Sequence, residues 1–110
     1  MTAMNINRQE FEKLIAGDMP VLAELWASWC MYCRRIGPAF DHIASKYHQQ
    51  LIAVKLNIDD EPELQDELEI EVVPTLVLYH RGRELGSIVA PDSGAMIEEF
   101  IREILSKEGI

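Results

Sequence analysis

Two compact apolar runs, residues 21–26 and 52–58, flank a stretch whose apolar residues recur at helical spacing. Each run is short and almost unbroken, the pattern of a strand covered on both faces. Between them Ile36, Phe40, Ile43, Ala44 and Tyr47 share one face of a long helix that begins after Trp29 and is expected to kink at Pro38. Strand, crossover helix and strand make a βαβ unit, which commits the chain to a sheet with parallel strands and helices packed on it. The flanks extend the alternation. Asn7 followed by Glu10 is a capping pair, and Phe11, Leu14 and Ile15 give a short amphipathic helix stopped at Gly17. Asp60, Pro62 and Glu63 open another short helix, capped by Asp60 and running to about Leu68. Residues 75–79 and 84–89 read as a hairpin turning on Arg81-Gly82, with Pro74 just before it, where a missing N–H is tolerated. Asp92 or Ser93 caps a last helix whose Ile97, Phe100, Ile101, Ile104 and Leu105 form one stripe. The expected fold class is α/β, a central mixed sheet flanked by helices on both faces.

At 110 residues the chain has room for one domain, residues 1–110, and no repeat or linker divides it. Ten Lys and Arg against 19 Asp and Glu leave a net charge of −9, which argues against binding nucleic acid or an anionic membrane surface. No run approaches the ~18 apolar residues of a membrane span. The first residues carry no basic segment followed by an apolar stretch, so no secretory signal is read and a cytoplasmic location is expected. The acidic run from Asp59 to Glu71 reads as a solvated helix face.

The chain has two cysteines, Cys30 and Cys33, in the tetrapeptide Cys-Met-Tyr-Cys. A disulfide between them closes too small a loop to constrain an unfolded chain much, so a structural staple explains them poorly. A structural zinc site needs about four ligands, and His42, His48 and His80 lack ligand spacing and a second Cys pair to complete one. The position is more telling. The pair lies where the first long strand passes into the long helix, at the carboxyl end of a strand, where sites collect in α/β sheets. A helix start aims unpaired N–H groups and its positive dipole end at the first sulfur, which favours thiolate over thiol. Spacing i, i+3 sets the second thiol beside the first, close enough to attack a mixed disulfide formed there. Cys30 is then the nucleophile and Cys33 the resolving thiol. Glu24 is the other odd residue. It interrupts an apolar strand, so it is either a buried carboxylate whose protonated form is favoured or a group on a solvent-facing edge.

Residues 25–38, Leu-Trp-Ala-Ser-Trp-Cys-Met-Tyr-Cys-Arg-Arg-Ile-Gly-Pro, resemble the active-site segment of the thioredoxin family, W-A-x-W-C-x-x-C-x-x-x-x-P. Residues 54–59, Val73-Pro74-Thr75-Leu76 and the turn Arg81-Gly82 match in order and separation, and the resemblance runs from about Ile6 to Leu105. It implies the thioredoxin fold and a protein-disulfide oxidoreductase working through a reversible Cys30–Cys33 dithiol/disulfide. No metal or organic cofactor is implied. The partners are protein disulfides, with a reductase or another dithiol as electron donor. The Val73–Pro74 bond is implied to be cis, with the Val73 backbone pairing with an extended substrate. Trp29 flanks Cys30, and Met31, Tyr32 and Ala90 join Trp29, Val73 and Pro74 around the groove. Glu24 stands where thioredoxins carry an Asp behind the resolving cysteine. It is read as the proton relay for Cys33, acting through a water, with Lys55 on the adjacent strand partly offsetting its burial.

The chain departs from the family at two places. Met31-Tyr32 replaces the Gly-Pro of thioredoxin, and a less reducing potential is expected from it. Val89-Ala90-Pro91 replaces a Val-Gly-Ala-like loop, and the Ala90 methyl narrows the approach of a partner backbone. Two other functions stay open on the sequence. Tyr32 also occurs in glutaredoxins, which makes a glutathione-linked enzyme one alternative. A partner-binding module with incidental redox activity is the other.

Overall fold

The computed structural model describes residues 3–110. The strands are β1 (Met4–Asn5), β2 (Val21–Trp26), β3 (Ile52–Asn57), β4 (Thr75–His80) and β5 (Arg83–Val89), and the helices are α1 (Arg8–Ile15), α2 (Met31–Lys46), α3 (Pro62–Glu67) and α4 (Gly94–Glu108). The strands form one sheet in the order β1-β3-β2-β4-β5. β1 and β2 run parallel to β3, and β4 runs antiparallel to both β2 and β5. The sheet is therefore mixed.

Side-chain alternation along β2 sorts the molecule into two layers. Val21, Ala23 and Leu25 point to a cluster with Phe11 of α1, Leu64 of α3, Val54, Leu56, Val77 and Tyr79. Leu22 points the other way, into a cluster with Ile36, Phe40 and Ile43 of α2, Ile97 and Ile101 of α4, Leu76 and Leu78. Helices α1 and α3 thus cover one face, and α2 and α4 the other. Glu24 has the parity of Leu22, so it faces α2.

The helix ends follow local chemistry. Asn7 accepts from the Glu10 N–H at 2.9 Å, and the Glu10 carboxylate accepts from the Asn7 N–H at 3.1 Å, a complete capping box. Substituting Asn7→Ala removes one half of the box and is expected to lower stability by about 1 kcal/mol, read as a lower urea midpoint at unchanged m-value. Helix α1 closes on Ala16 in right-handed conformation, one residue before Gly17. Ser93 caps α4 by accepting from Met96 N–H.

The cap expected at Asp60 lies one residue later. Glu61 holds the cap position of α3 without a side-chain bond to that helix, because Pro62 occupies the first helical position and its fixed φ starts the helix there; its carboxylate instead accepts from the Arg8 N–H at 3.2 Å. Arg81 and Gly82 both take positive φ, 53° and 77°, which a two-residue hairpin turn requires. Strand β1 has no counterpart in the periodicity. It is a two-residue edge strand whose side chains are exposed, so it leaves no apolar signature. Pro38 lies inside α2, where its absent N–H leaves one backbone carbonyl without its helical partner.

Candidate active site

Cys30 is the N-cap of α2, with φ −87° and ψ 108°, and its side chain takes the place usually filled by Ser or Asp. The Cys33 N–H donates to Cys30 Sγ at 3.1 Å. The first helical turn thus directs a backbone donor and the positive end of the helix dipole at one sulfur. In the thiol form Cys30 Sγ–H donates to the Val73 carbonyl at 3.8 Å. Both cysteines are free thiols in this structure. Cys30 retains 8% of its accessible surface and Cys33 retains 5%, so exposure separates them little.

Their surroundings separate them more. Burial pushes the Cys33 thiol well above the ordinary range, and the hydrogen bond with Cys30 adds to this. The Ala27 backbone opposes the rise only in part. Cys33 therefore holds its proton at neutral pH, and an acceptor is needed before its sulfur can attack.

Glu24 is 2% exposed, on the central strand β2, which rules out the solvent-facing edge. Its carboxyl is raised from 4.5 to about 7, first by burial. Lys55 lowers it and Asp41 raises it further. Glu24 Oε2 is buried and has no hydrogen-bond partner among the described residues. Lys55 sits opposite Glu24 in the β2–β3 register, but its ammonium pairs with Asp41 Oδ1 at 3.3 Å. A cleft of about 310 Å³ is lined by Glu24, Cys33, Asp41 and Lys55, together with Asn5 and Pro38 among others. Cys33 and Glu24 thus share one solvent-sized space, large enough for a bridging water.

The segments flanking Cys30 and the Val73–Pro74 bond expose apolar side chains. Trp29 is 67% exposed and Met31 78%, and Val72 and Val89 are also exposed. The Trp29 indole N–H donates to Asp59 Oδ1 at 3.1 Å, which fixes the ring at the edge of the site. The Val73–Pro74 bond is cis. The Pro74 carbonyl accepts from the Ala90 N–H at 2.8 Å, tying the proline loop to the end of β5.

The Tyr32 hydroxyl reaches the loop that follows β5. It lies 3.1 Å from the Pro91 carbonyl, 3.1 Å from Asp92 Oδ1 and 3.4 Å from the Ala90 carbonyl. It stitches the cysteine-bearing turn to the 90–92 loop. Ala90 sits at φ 45°, in the left-handed region, where a methyl group is strained. Ala90→Gly is therefore expected to raise stability by about 0.5–1 kcal/mol, seen as a higher urea midpoint.

Sequence reasoning missed Asp41. The only signal is its spacing of eight from Cys33, about two helical turns, which puts both on one face of α2.

A family model described as thioredoxin matches residues 2–103. The thioredoxin of Alicyclobacillus acidocaldarius subsp. acidocaldarius is 30% identical over 102 residues, covering 93% of this chain and 97% of that one. A protein of Mycobacterium leprae named bifunctional thioredoxin reductase/thioredoxin is 30% identical over 95 residues, covering 86% of this chain and 21% of that one. The crystal structure of Malassezia sympodialis thioredoxin superposes with a TM-score of 0.84 at 25% identity, covering 93% of this chain and 90% of that one. Among the described residues no helix is long and apolar enough to cross a membrane. With its two-sided mixed sheet, its Cys-Met-Tyr-Cys helix start and these relatives, the chain belongs to the thioredoxin family, whose members are thiol–disulfide oxidoreductases.

Proposed function

We propose that the chain reduces, or exchanges, protein disulfides with Cys30 as nucleophile and Cys33 as resolving thiol. The observation that carries this is the Cys33 N–H aimed at Cys30 Sγ at 3.1 Å, at the start of α2. The Cys30 thiolate attacks one sulfur of the substrate disulfide. A mixed disulfide forms, and the other substrate sulfur leaves as a thiolate that takes up a proton. Glu24 then accepts the Cys33 proton through a water in the shared cleft. The Cys33 thiolate attacks Cys30 Sγ, the Cys30–Cys33 disulfide forms, and the second substrate thiolate is released. The substrate gains two electrons and the chain loses two, which a reductase or another dithiol restores.

Val73 offers its backbone to an extended substrate strand beside Cys30, and Trp29, Met31, Pro74 and Ala90 shape the groove. Once Cys30 is ionised, the Val73 carbonyl loses the thiol donor and is open to the substrate. Lys55 sets the charge around Glu24. A cytoplasmic location fits a dithiol that works as a reductant, because thiols are kept reduced there.

A turbidity assay of insulin reduction by dithiothreitol tests the reading. The wild-type chain accelerates precipitation and Cys30→Ser does not. Equal rates for the two would leave only a partner-binding module. Recycling by an NADPH-coupled thioredoxin reductase rather than by glutathione is the expected electron supply. The Mycobacterium leprae relative, by its name, carries reductase and thioredoxin together, which supports that expectation.

A further inference from the structure

We infer that Asp41 is a positioning residue for the proton relay: its carboxylate holds the Lys55 ammonium away from Glu24, and so leaves Glu24 able to take the Cys33 proton. This rests on the assignment of Glu24 as the acceptor for Cys33. Lys55 is the register neighbour of Glu24 across β2 and β3, the nearest place for a cation to neutralise it. Its ion pair nevertheless goes to Asp41 Oδ1 at 3.3 Å, and among the described residues Glu24 Oε2 has no hydrogen-bond partner.

Among the described residues, the charged and titratable groups lining the cleft around Glu24 are few. Helix α2 contributes Asp41, Cys33 and Arg34, β3 contributes Lys55, and β1 contributes the neutral Asn5. The neighbour from β4 is the apolar Leu76. The Arg34 guanidinium is committed to the Ser28 carbonyl at 3.0 Å. Lys55 is thus the cation whose placement decides how basic Glu24 is, and Asp41 decides that placement. A lysine paired directly with Glu24 would fix it as a carboxylate of ordinary acidity, a poor acceptor for a thiol proton. The Asp41 carboxylate adds its own negative charge in the same direction.

Asp41 Oδ1 also accepts from the Ala3 N–H at 3.3 Å. Asn at this position keeps an oxygen for that bond, so Asp41→Asn removes the charge while that bond can persist. The test is a pH titration of the ¹³C-labelled Glu24 carboxyl by NMR in the reduced wild type, Asp41→Asn and Asp41→Glu. It is run beside the pH dependence of single-turnover release from a mixed disulfide on Cys30.

In Asp41→Asn the Glu24 midpoint is expected to fall by about one pH unit or more, and the rising limb of the release rate to move with it. Asp41→Glu restores both toward wild type. A Glu24 midpoint in Asp41→Asn equal to wild type overturns the inference. Glu24→Gln separates it from the reading beneath. If Glu24→Gln keeps the wild-type limb, Glu24 is not the acceptor, while the carboxyl titration still decides whether Asp41 controls its basicity. If Glu24→Gln abolishes the limb and Asp41→Asn leaves it in place, the acceptor assignment stands and the role of Asp41 falls.

Discussion

A Cys33→Ser chain mixed with a protein disulfide accumulates as a covalent adduct through Cys30, while Cys30→Ser forms none. Attack needs only the sulfur at the cap of α2, where a backbone N–H already points. Release needs the second sulfur, and serine cannot break a disulfide. In Cys33→Ser the first step therefore runs and the second stops. Turnover is expected to fall by about a thousandfold or more in either variant, because the two cysteines act as a unit. Only Cys33→Ser should give a mixed disulfide visible on a non-reducing gel and removable with dithiothreitol. Adduct on Cys30→Ser, and none on Cys33→Ser, would reverse the two roles.

The second large effect is at Glu24, and its sign depends on pH. The folded carboxyl is raised from 4.5 to about 7 by burial. Below pH 4.5 both folded and unfolded chains carry the proton, and the group contributes nothing to the pH dependence. Between 4.5 and 7 the folded chain holds a proton that the unfolded chain has lost, so stability declines as pH rises. Above 7 the full penalty applies, about 3 kcal/mol at 1.4 kcal/mol per pH unit. Glu24→Leu has no such slope. It also removes an unpartnered buried oxygen and leaves Lys55 still paired with Asp41.

The variant is therefore expected to gain about 3 kcal/mol over wild type at pH 8 relative to pH 4, measured by urea unfolding of the reduced proteins at both. The same substitution removes the proposed acceptor for the Cys33 proton. Release of the mixed disulfide is expected to slow by about 10²–10⁴-fold while the first attack keeps its rate. A more stable protein with wild-type release would end the proton-relay role. An unchanged pH slope would mean that Glu24 is not held neutral by burial.

Much of the fold was legible because its signals are periodic. The strand-helix-strand alternation, the Asn7–Glu10 box and the Arg81-Gly82 turn each carry a local rule, and each forms the element that rule describes. Strand β1 was not legible, since two exposed residues at an edge make no pattern. The cysteine pair was legible from its place between a strand and a helix. Glu24 was legible as a misfit among apolar neighbours, but the sequence left its burial open until the strand order put β2 at the centre.

Two features have no local signature in the sequence. The Lys55 ion pair goes to a helix residue 14 positions earlier in the chain, Asp41, which no short-range spacing reveals. The Tyr32 hydroxyl bonds to the 90–92 loop, 58 to 60 residues away, rather than to the sulfurs beside it in sequence. Both are contacts between distant elements, set by packing and not by local propensity.

The most direct test of the catalytic assignment is brief alkylation of the fully reduced protein with a substoichiometric amount of iodoacetamide at pH 7, followed by fragmentation mass spectrometry of the 27–34 segment. The label is expected on Cys30 in large excess, because Cys33 keeps its proton under burial and Cys30 carries the helix-start donor. Equal labelling of the two, or label found first on Cys33, would contradict the account.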